Sequence, residues 1–184
     1  MDRTKLALIG CGGYAQGYIR ELANHPQARL IVACDSNPAH AEAVAEATGA
    51  VAVTDWQQAL DTPGLEGAII ATPNYLHARI TLAAAARGLH VLCEKPMATT
   101  LDDAQAMITG CEKAGVALMI GLSARYDRAF RRALALLEAG DLGEPALLAN
   151  LYHYTLGPAA PGRTWHNDPL QMGGGALIQM GIHG

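Results

Sequence analysis

The chain has little with which to do several common jobs. No run of apolar residues approaches the roughly 20 needed to cross a bilayer, and Leu6-Ala7-Leu8-Ile9 after Met1 to Lys5 is too short for a signal-peptide core. Charge is sparse and slightly acidic, at 16% charged residues and a net −4, so no basic face exists to neutralise nucleic-acid phosphates. The four cysteines, Cys11, Cys34, Cys93 and Cys111, show no C-x-x-C spacing and are too few for a disulfide scaffold. Reduced thiols and a cytoplasmic location are therefore expected. His166 and His183 lack a second ligand at i+3 or i+4, so no metal is expected. There is no internal repeat and no low-complexity tract.

What the sequence does have is a globular composition: 51% of its 184 residues are hydrophobic, enough for a packed core. That length suits one complete domain and part of another. Short apolar runs alternate with helical patterns through residue 121, the order produced when parallel strands are joined by crossover helices. Strands are expected at about 4–9, 29–34, 51–53, 67–71, 90–93 and 117–121. Their nearly continuous apolar character suits strands covered on both faces. The fold class is α/β, a doubly wound parallel Rossmann sheet followed by the start of an α/β open-sheet domain.

Helix ends are also legible. Thr100 and Asp103 form a capping box for a helix over 101–114, with Ala104, Met107, Ile108 and Cys111 as its apolar stripe. Asn74 is expected to cap a helix bearing Leu76, Ile80 and Ala83 that ends at Gly88. After Gly121 the pattern changes to an amphipathic helix over 124–139, with Phe130, Leu134 and Leu137 on one face. A strand is read at 146–155, a Pro/Gly-rich loop at 156–172 and the start of a helix at 173–184. About 60 residues with one clear strand cannot cover a sheet of their own. Residues 1–121 are accordingly assigned to the nucleotide-binding domain and 122–184 to a partial second domain for substrate binding and oligomerisation.

Gly10-Cys11-Gly12-Gly13-Tyr14-Ala15 is a G-x-G-x-x-A turn between the first strand and the first helix. Gly10 permits the tight turn, Gly12 lets the backbone approach a pyrophosphate, and Ala15 keeps helix and strand close. Asp35 ends the second strand, where its carboxylate can accept hydrogen bonds from an adenosine ribose and repel a 2′-phosphate. Ser36 and Asn37 bring no guanidinium, which favours NAD, with NADP possible. A second group, Thr72-Pro73-Asn74 with His77, and Glu94-Lys95-Pro96, sits at the ends of the fourth and fifth strands, beyond which open α/β sheets bind ligands. From local sequence alone Lys95 is equally a surface lysine paired with Glu94. Trp165, His166 and Asp168 receive no role.

These motifs in this order, with Arg125-Tyr126 and the run Gly173 to Leu177 leading to His183, resemble the Gfo/Idh/MocA oxidoreductases, which include inositol dehydrogenases and glucose–fructose oxidoreductase. The resemblance implies a Rossmann domain followed by an open-sheet domain that binds substrate and often forms the oligomer interface. It implies Lys95 beside the reacting hydroxyl, His183 as proton acceptor, and Arg125, Tyr126 and Gln179 near substrate. Gln179 stands four residues before His183, where many relatives carry aspartate, and an amide cannot raise imidazole basicity by charge. The expected activity is hydride transfer between nicotinamide and a hydroxyl carbon of a sugar or polyol. The alternatives are NAD-assisted elimination or hydrolysis through transient oxidation, or a noncatalytic nucleotide-binding protein. The expected partner is that small molecule, with neither nucleic acid nor membrane, and a homo-oligomer if the full second domain is present.

Overall fold

A computed structural model describes residues 3–147, 149, 165 and 168–183. Six strands form one sheet: β1 (Thr4–Ile9), β2 (Ala28–Cys34), β3 (Val51–Val53), β4 (Gly67–Ile70), β5 (His90–Cys93) and β6 (Leu118–Ile120). Their order is β3-β2-β1-β4-β5-β6 and every pairing is parallel. The strands match the expected ones to within one residue at each end. The sheet reverses direction of growth between β1 and β4, which is where a doubly wound fold opens its ligand crevice.

Side-chain alternation divides the core between the two faces. Ala7, Ile9, Val32, Cys34, Ala68, Ile70, Val91 and Cys93 share one buried cluster with Leu60 of α3 (Trp56–Leu60), Ile80 and Ala84 of α4 (His77–Ala85) and Met107 of α5 (Leu101–Ala114). Leu8, Leu30, Ala33 and Ile69 face the other way, against Ile19 of α1 (Gln16–Ala23) and Val44 of α2 (Pro38–Thr48). Leu30 and Ala33 share a face at odd spacing because the β1–β2 register skips Ile31, Leu6 pairing with Leu30 and Ala7 with Val32.

Local chemistry sets the helix ends. The Thr100 hydroxyl accepts the Asp103 amide at 3.1 Å, as the capping box requires, while the Asp103 carboxylate takes the Thr100 hydroxyl proton at 2.8 Å. Asn37 caps α2 through the Ala39 amide, with Pro38 at the first helical position and Gly49 in the left-handed conformation at the other end. Asn74 does not cap α4. It lies in a 3-10 turn, Asn74–Leu76, and its buried amide donates instead to the Met172 carbonyl at 2.8 Å.

The segment beyond β6 also departs from expectation. Arg125 and Tyr126 belong to a 3-10 turn, Ser123–Tyr126, and α6 (Arg128–Glu138) starts after Asp127, whose carboxylate accepts the Ala129 and Phe130 amides. The stripe of Phe130, Leu134 and Leu137 is exposed. The strand read at 146–155 lies largely outside the described residues, as does His166. Part of the loop read at 156–172 is helical: Asp168 caps the single turn α7 (Pro169–Met172). The helix read at 173–184 starts later and is broken into α8 (Ala176–Gln179) and a 3-10 turn, Gly181–His183; Gly173, at a left-handed φ of 81°, ends α7 instead of opening that helix. A Cβ at Gly173 would lie 2.8 Å from Thr99 Cα, so a bare backbone is what lets this segment lie against the sheet domain.

Candidate active site

A cavity of about 800 Å³ runs across the carboxyl ends of the strands, a volume suited to a bound small molecule. The sheet topology brings the separate motifs to it. Gly10, Cys11, Gly12, Gly13 and Tyr14 line it from the β1 turn, Asp35 and Ser36 from the end of β2, and Thr72, Pro73 and Asn74 from the end of β4. Glu94 and Lys95 line it from the end of β5 and Gln179 from α8. Ala15 is fully buried beneath the turn.

The glycine turn is shaped by two close approaches. Gly10 has φ +94°, and a Cβ there would fall 2.4 Å from the Ala71 carbonyl oxygen, so only glycine lets β1 and β4 diverge so tightly. A Cβ on Gly12 would meet nothing within 4 Å. Gly12 thus borders open space where a pyrophosphate would approach, at the start of the 3-10 turn Gly13–Ala15. Cys11 turns inward. Its thiol is pushed up to about 12 by burial and by the Asp35 charge, so it stays protonated and unreactive.

Asp35 braces this turn. Its Oδ2 accepts the Cys11 amide at 2.8 Å and its Oδ1 accepts the Asn37 amide at 2.9 Å, so one carboxylate ties the β1 turn to the entry of α2. Each oxygen retains a lone pair for a ribose hydroxyl. His40 Nδ1 stands 3.6 Å from Oδ1.

At the other end lies Lys95, a charged side chain only 6% exposed. Its Nζ donates to the Gln179 backbone carbonyl at 3.1 Å and to the Tyr14 hydroxyl at 3.2 Å, and lies 4.9 Å from the centre of the Tyr14 ring. Acceptors and a ring face compensate part of its desolvation. Glu94 anchors the turn: Oε2 accepts the Lys95 amide at 3.0 Å, and Oε1 accepts the Tyr18 hydroxyl at 2.7 Å. Burial and then the Glu94 hydrogen bond push the Tyr18 phenol upward, which keeps it a donor. Sequence reasoning missed Tyr18, since a tyrosine within an amphipathic helix carries no signal of its partner.

His183 approaches this group. Burial first, and then the Lys95 charge, lower its pKa from 6.5, so the imidazole is neutral near pH 7. It feels the Lys95 charge from the last 3-10 turn, but it is not among the residues that line the cavity. Arg125 and Tyr126 are exposed after β6 and do not line the cavity.

His77 is likewise outside the cavity, wholly buried between the turns that follow β4 and β5. Nδ1 lies 2.7 Å from the Pro96 carbonyl and Nε2 3.0 Å from the Thr72 carbonyl. Burial lowers its pKa against the pull of both carbonyls, so the neutral ring donates to one of them. Its place is structural, joining the ends of β4 and β5.

The residues fit a dinucleotide. Besides the open space at Gly12, the Thr72 hydroxyl and Gln179 Oε1 are buried without a hydrogen-bond partner among the described residues, both on the cavity wall. Such orphaned groups are expected where a polar ligand completes the set. Fold and cleft together are those of a NAD-binding Rossmann domain. Residues 4–122 match the family described as "Oxidoreductase family, NAD-binding Rossmann fold", and the chain belongs to this Gfo/Idh/MocA family.

Among its relatives, the chain is 30% identical over 182 residues to glucose-6-phosphate 3-dehydrogenase of Bacillus subtilis (strain 168), covering 97% of this chain and 51% of that protein. It is 37% identical over 146 residues to inositol 2-dehydrogenase of Streptomyces avermitilis, covering 78% and 43%. The structure resembles the WlbA dehydrogenase of Bordetella pertussis, solved with NADH and UDP-GlcNAcA, at a TM-score of 0.72 and 32% identity, over 77% of this chain and 41% of that one. The chain spans about half the length of the curated relatives it matches.

Proposed function

We propose that the protein oxidises or reduces a hydroxyl-bearing carbon of a sugar or polyol, with NAD as cofactor, Lys95 at the reacting oxygen and His183 as proton acceptor. The observation that carries this reading is the buried Lys95 ammonium on the cavity wall, held by the Gln179 carbonyl and Tyr14 and close enough to His183 to depress its pKa. Bound NAD supplies the hydride acceptor or donor. The chain supplies the proton and charge chemistry. In the oxidising direction neutral His183 takes the hydroxyl proton, and the Lys95 ammonium stabilises the negative charge developing on that oxygen. Gln179 Oε1 is an acceptor for a neighbouring substrate hydroxyl.

Asp35 supports a preference for NAD over NADP, because its negative charge at the end of β2 repels a 2′-phosphate. The division into a nucleotide domain over 1–121 and a substrate domain from 122 is supported by the family match to 4–122. A homo-oligomer formed through the second domain and a cytoplasmic location complete the proposal. No described helix is long and apolar enough to cross a membrane, and the four cysteines are free thiols.

The test is NADH formation across a sugar and polyol panel, followed by variants on the substrate found. His183→Asn is expected to lower kcat by about 10²- to 10⁴-fold, the usual worth of a general base. Lys95→Met is expected to lose kcat while still binding NADH. Unchanged turnover in either variant removes that residue from the reaction.

A further inference from the structure

The geometry points to Trp56, backed by Arg79, as the platform for the adenine ring of the bound dinucleotide. The inference rests on the dinucleotide reading of the cavity and extends it to an end that no motif addresses.

Asp35 marks the ribose position at the end of β2, so the base lies farther along the cavity, away from Lys95. That direction leads to β3, because the Asp35 amide donates to the Val53 carbonyl at 3.3 Å. Beyond Val53 the chain passes Thr54 and Asp55 into α3, whose first residue is Trp56. The Asp55 side chain accepts the Gln57 amide at 2.9 Å and fixes where the indole emerges. Thr54 and Trp56 line the cavity there with Leu76 and Ile80. A nucleobase needs a flat, polarisable surface more than it needs charge, and this end of the cavity offers one. Of the other aromatic residues on the wall, Tyr14 is committed to Lys95.

The indole is also held. The Arg79 guanidinium sits 5.4 Å from its ring centre, an ordinary cation–π separation, and Arg79 is not among the cavity-lining residues. The indole borders the cavity and the cation that holds it does not. Trp56 is partly buried against the core, which limits its movement. A ring already fixed in place loses little freedom when a base stacks on it.

Calorimetry with NADH, ADP-ribose and nicotinamide mononucleotide separates the two ends. Trp56→Ala is expected to weaken NADH and ADP-ribose about 5- to 150-fold, the range for losing one base–aromatic stack, and to leave nicotinamide mononucleotide unchanged. Trp56→Phe keeps a ring, protects the fold and is expected to recover most of the affinity. Trp56→Ala or Trp56→Phe with weakened binding of the mononucleotide to the same degree as ADP-ribose overturns the assignment, as does full ADP-ribose affinity in Trp56→Ala. A second readout needs no change at Trp56. The chain has two tryptophans, so in Trp165→Phe the emission is that of Trp56 alone, and ADP-ribose is expected to quench it. Saturable binding with no change in emission overturns the platform. Failure of the dinucleotide reading looks different: the unaltered protein would bind neither NADH nor ADP-ribose.

Discussion

The Tyr18 hydroxyl donates a 2.7 Å hydrogen bond to Glu94 Oε1, so a residue inside α1 holds the carboxylate next to Lys95. Gly121 makes room for this pair, since a Cβ there would lie 3.1 Å from both oxygens. A hydrogen bond to a charged group is worth about 1.5–3 kcal/mol. Tyr18→Phe is expected to lose that much in urea denaturation and to lower kcat more than it raises KM, because the Lys95 turn is loosened. Wild-type stability and kcat in this variant would show that the bond positions nothing.

Two glycines in one turn are expected to behave oppositely. Gly10→Ala drives a Cβ to 2.4 Å from the Ala71 carbonyl oxygen at φ +94°, so the backbone must move and the loss exceeds the roughly 1–3 kcal/mol of left-handed strain alone. Gly12→Ala places its Cβ in open space at φ −74°, and stability should change by less than about 0.5 kcal/mol while NADH affinity falls. Thermal melting and calorimetry on both variants check this, and a Gly12→Ala protein that binds NADH normally contradicts the pyrophosphate placement.

Asp35→Ala removes the acceptor of the Cys11 and Asn37 amides and the charge facing a 2′-phosphate. NAD affinity should fall and the ratio of NAD to NADP affinity should narrow. The Kd of each cofactor decides this, and an unchanged ratio takes Asp35 out of cofactor choice.

Two histidines give pH signatures. Burial lowers the His77 pKa from 6.5, so below that pH the unfolded chain takes up a proton that the folded ring refuses. The stability is fully present above about 6.5 and is lost as pH falls from there through the folded-state value. Denaturation at a series of pH values should show this slope, and His77→Gln should flatten it. His183, also lowered from 6.5, places the acid limb of kcat/KM below 6.5. Lys95→Met removes a neighbouring positive charge and should move the His183 titration upward in NMR.

The sheet was legible because buried parallel strands are short apolar runs, and the turn at Gly10 because its backbone conformation restricts residue type. Thr100 was legible for the same local reason, its partner being three residues away. Asn74 was not: it reads as a helix cap, yet its amide reaches Met172, which only the folded chain brings near. Tyr14 sits in a motif read for phosphate binding, and its side chain instead meets Lys95. Trp56 and Tyr18 look like ordinary core positions, since periodicity reports which face is apolar and says nothing of what lies across it. Residues 169–172 were read as loop because Pro and Gly flank them, although Asp168 and Pro169 also make a helix start.

The reversal of strand order beside β1 has a consequence for synthesis. The Gly10 amide is fixed by the Cys34 carbonyl and the Ala71 amide by the Ile9 carbonyl, so the two lips of the crevice come from opposite flanks of the first strand. A nascent chain that has not yet delivered Gly67–Ile70 owns the glycine turn and its bracing acid but only half a mouth. The crevice is therefore open on one side until the fourth strand docks, and free cofactor would favour the completed sheet over its half-built precursor.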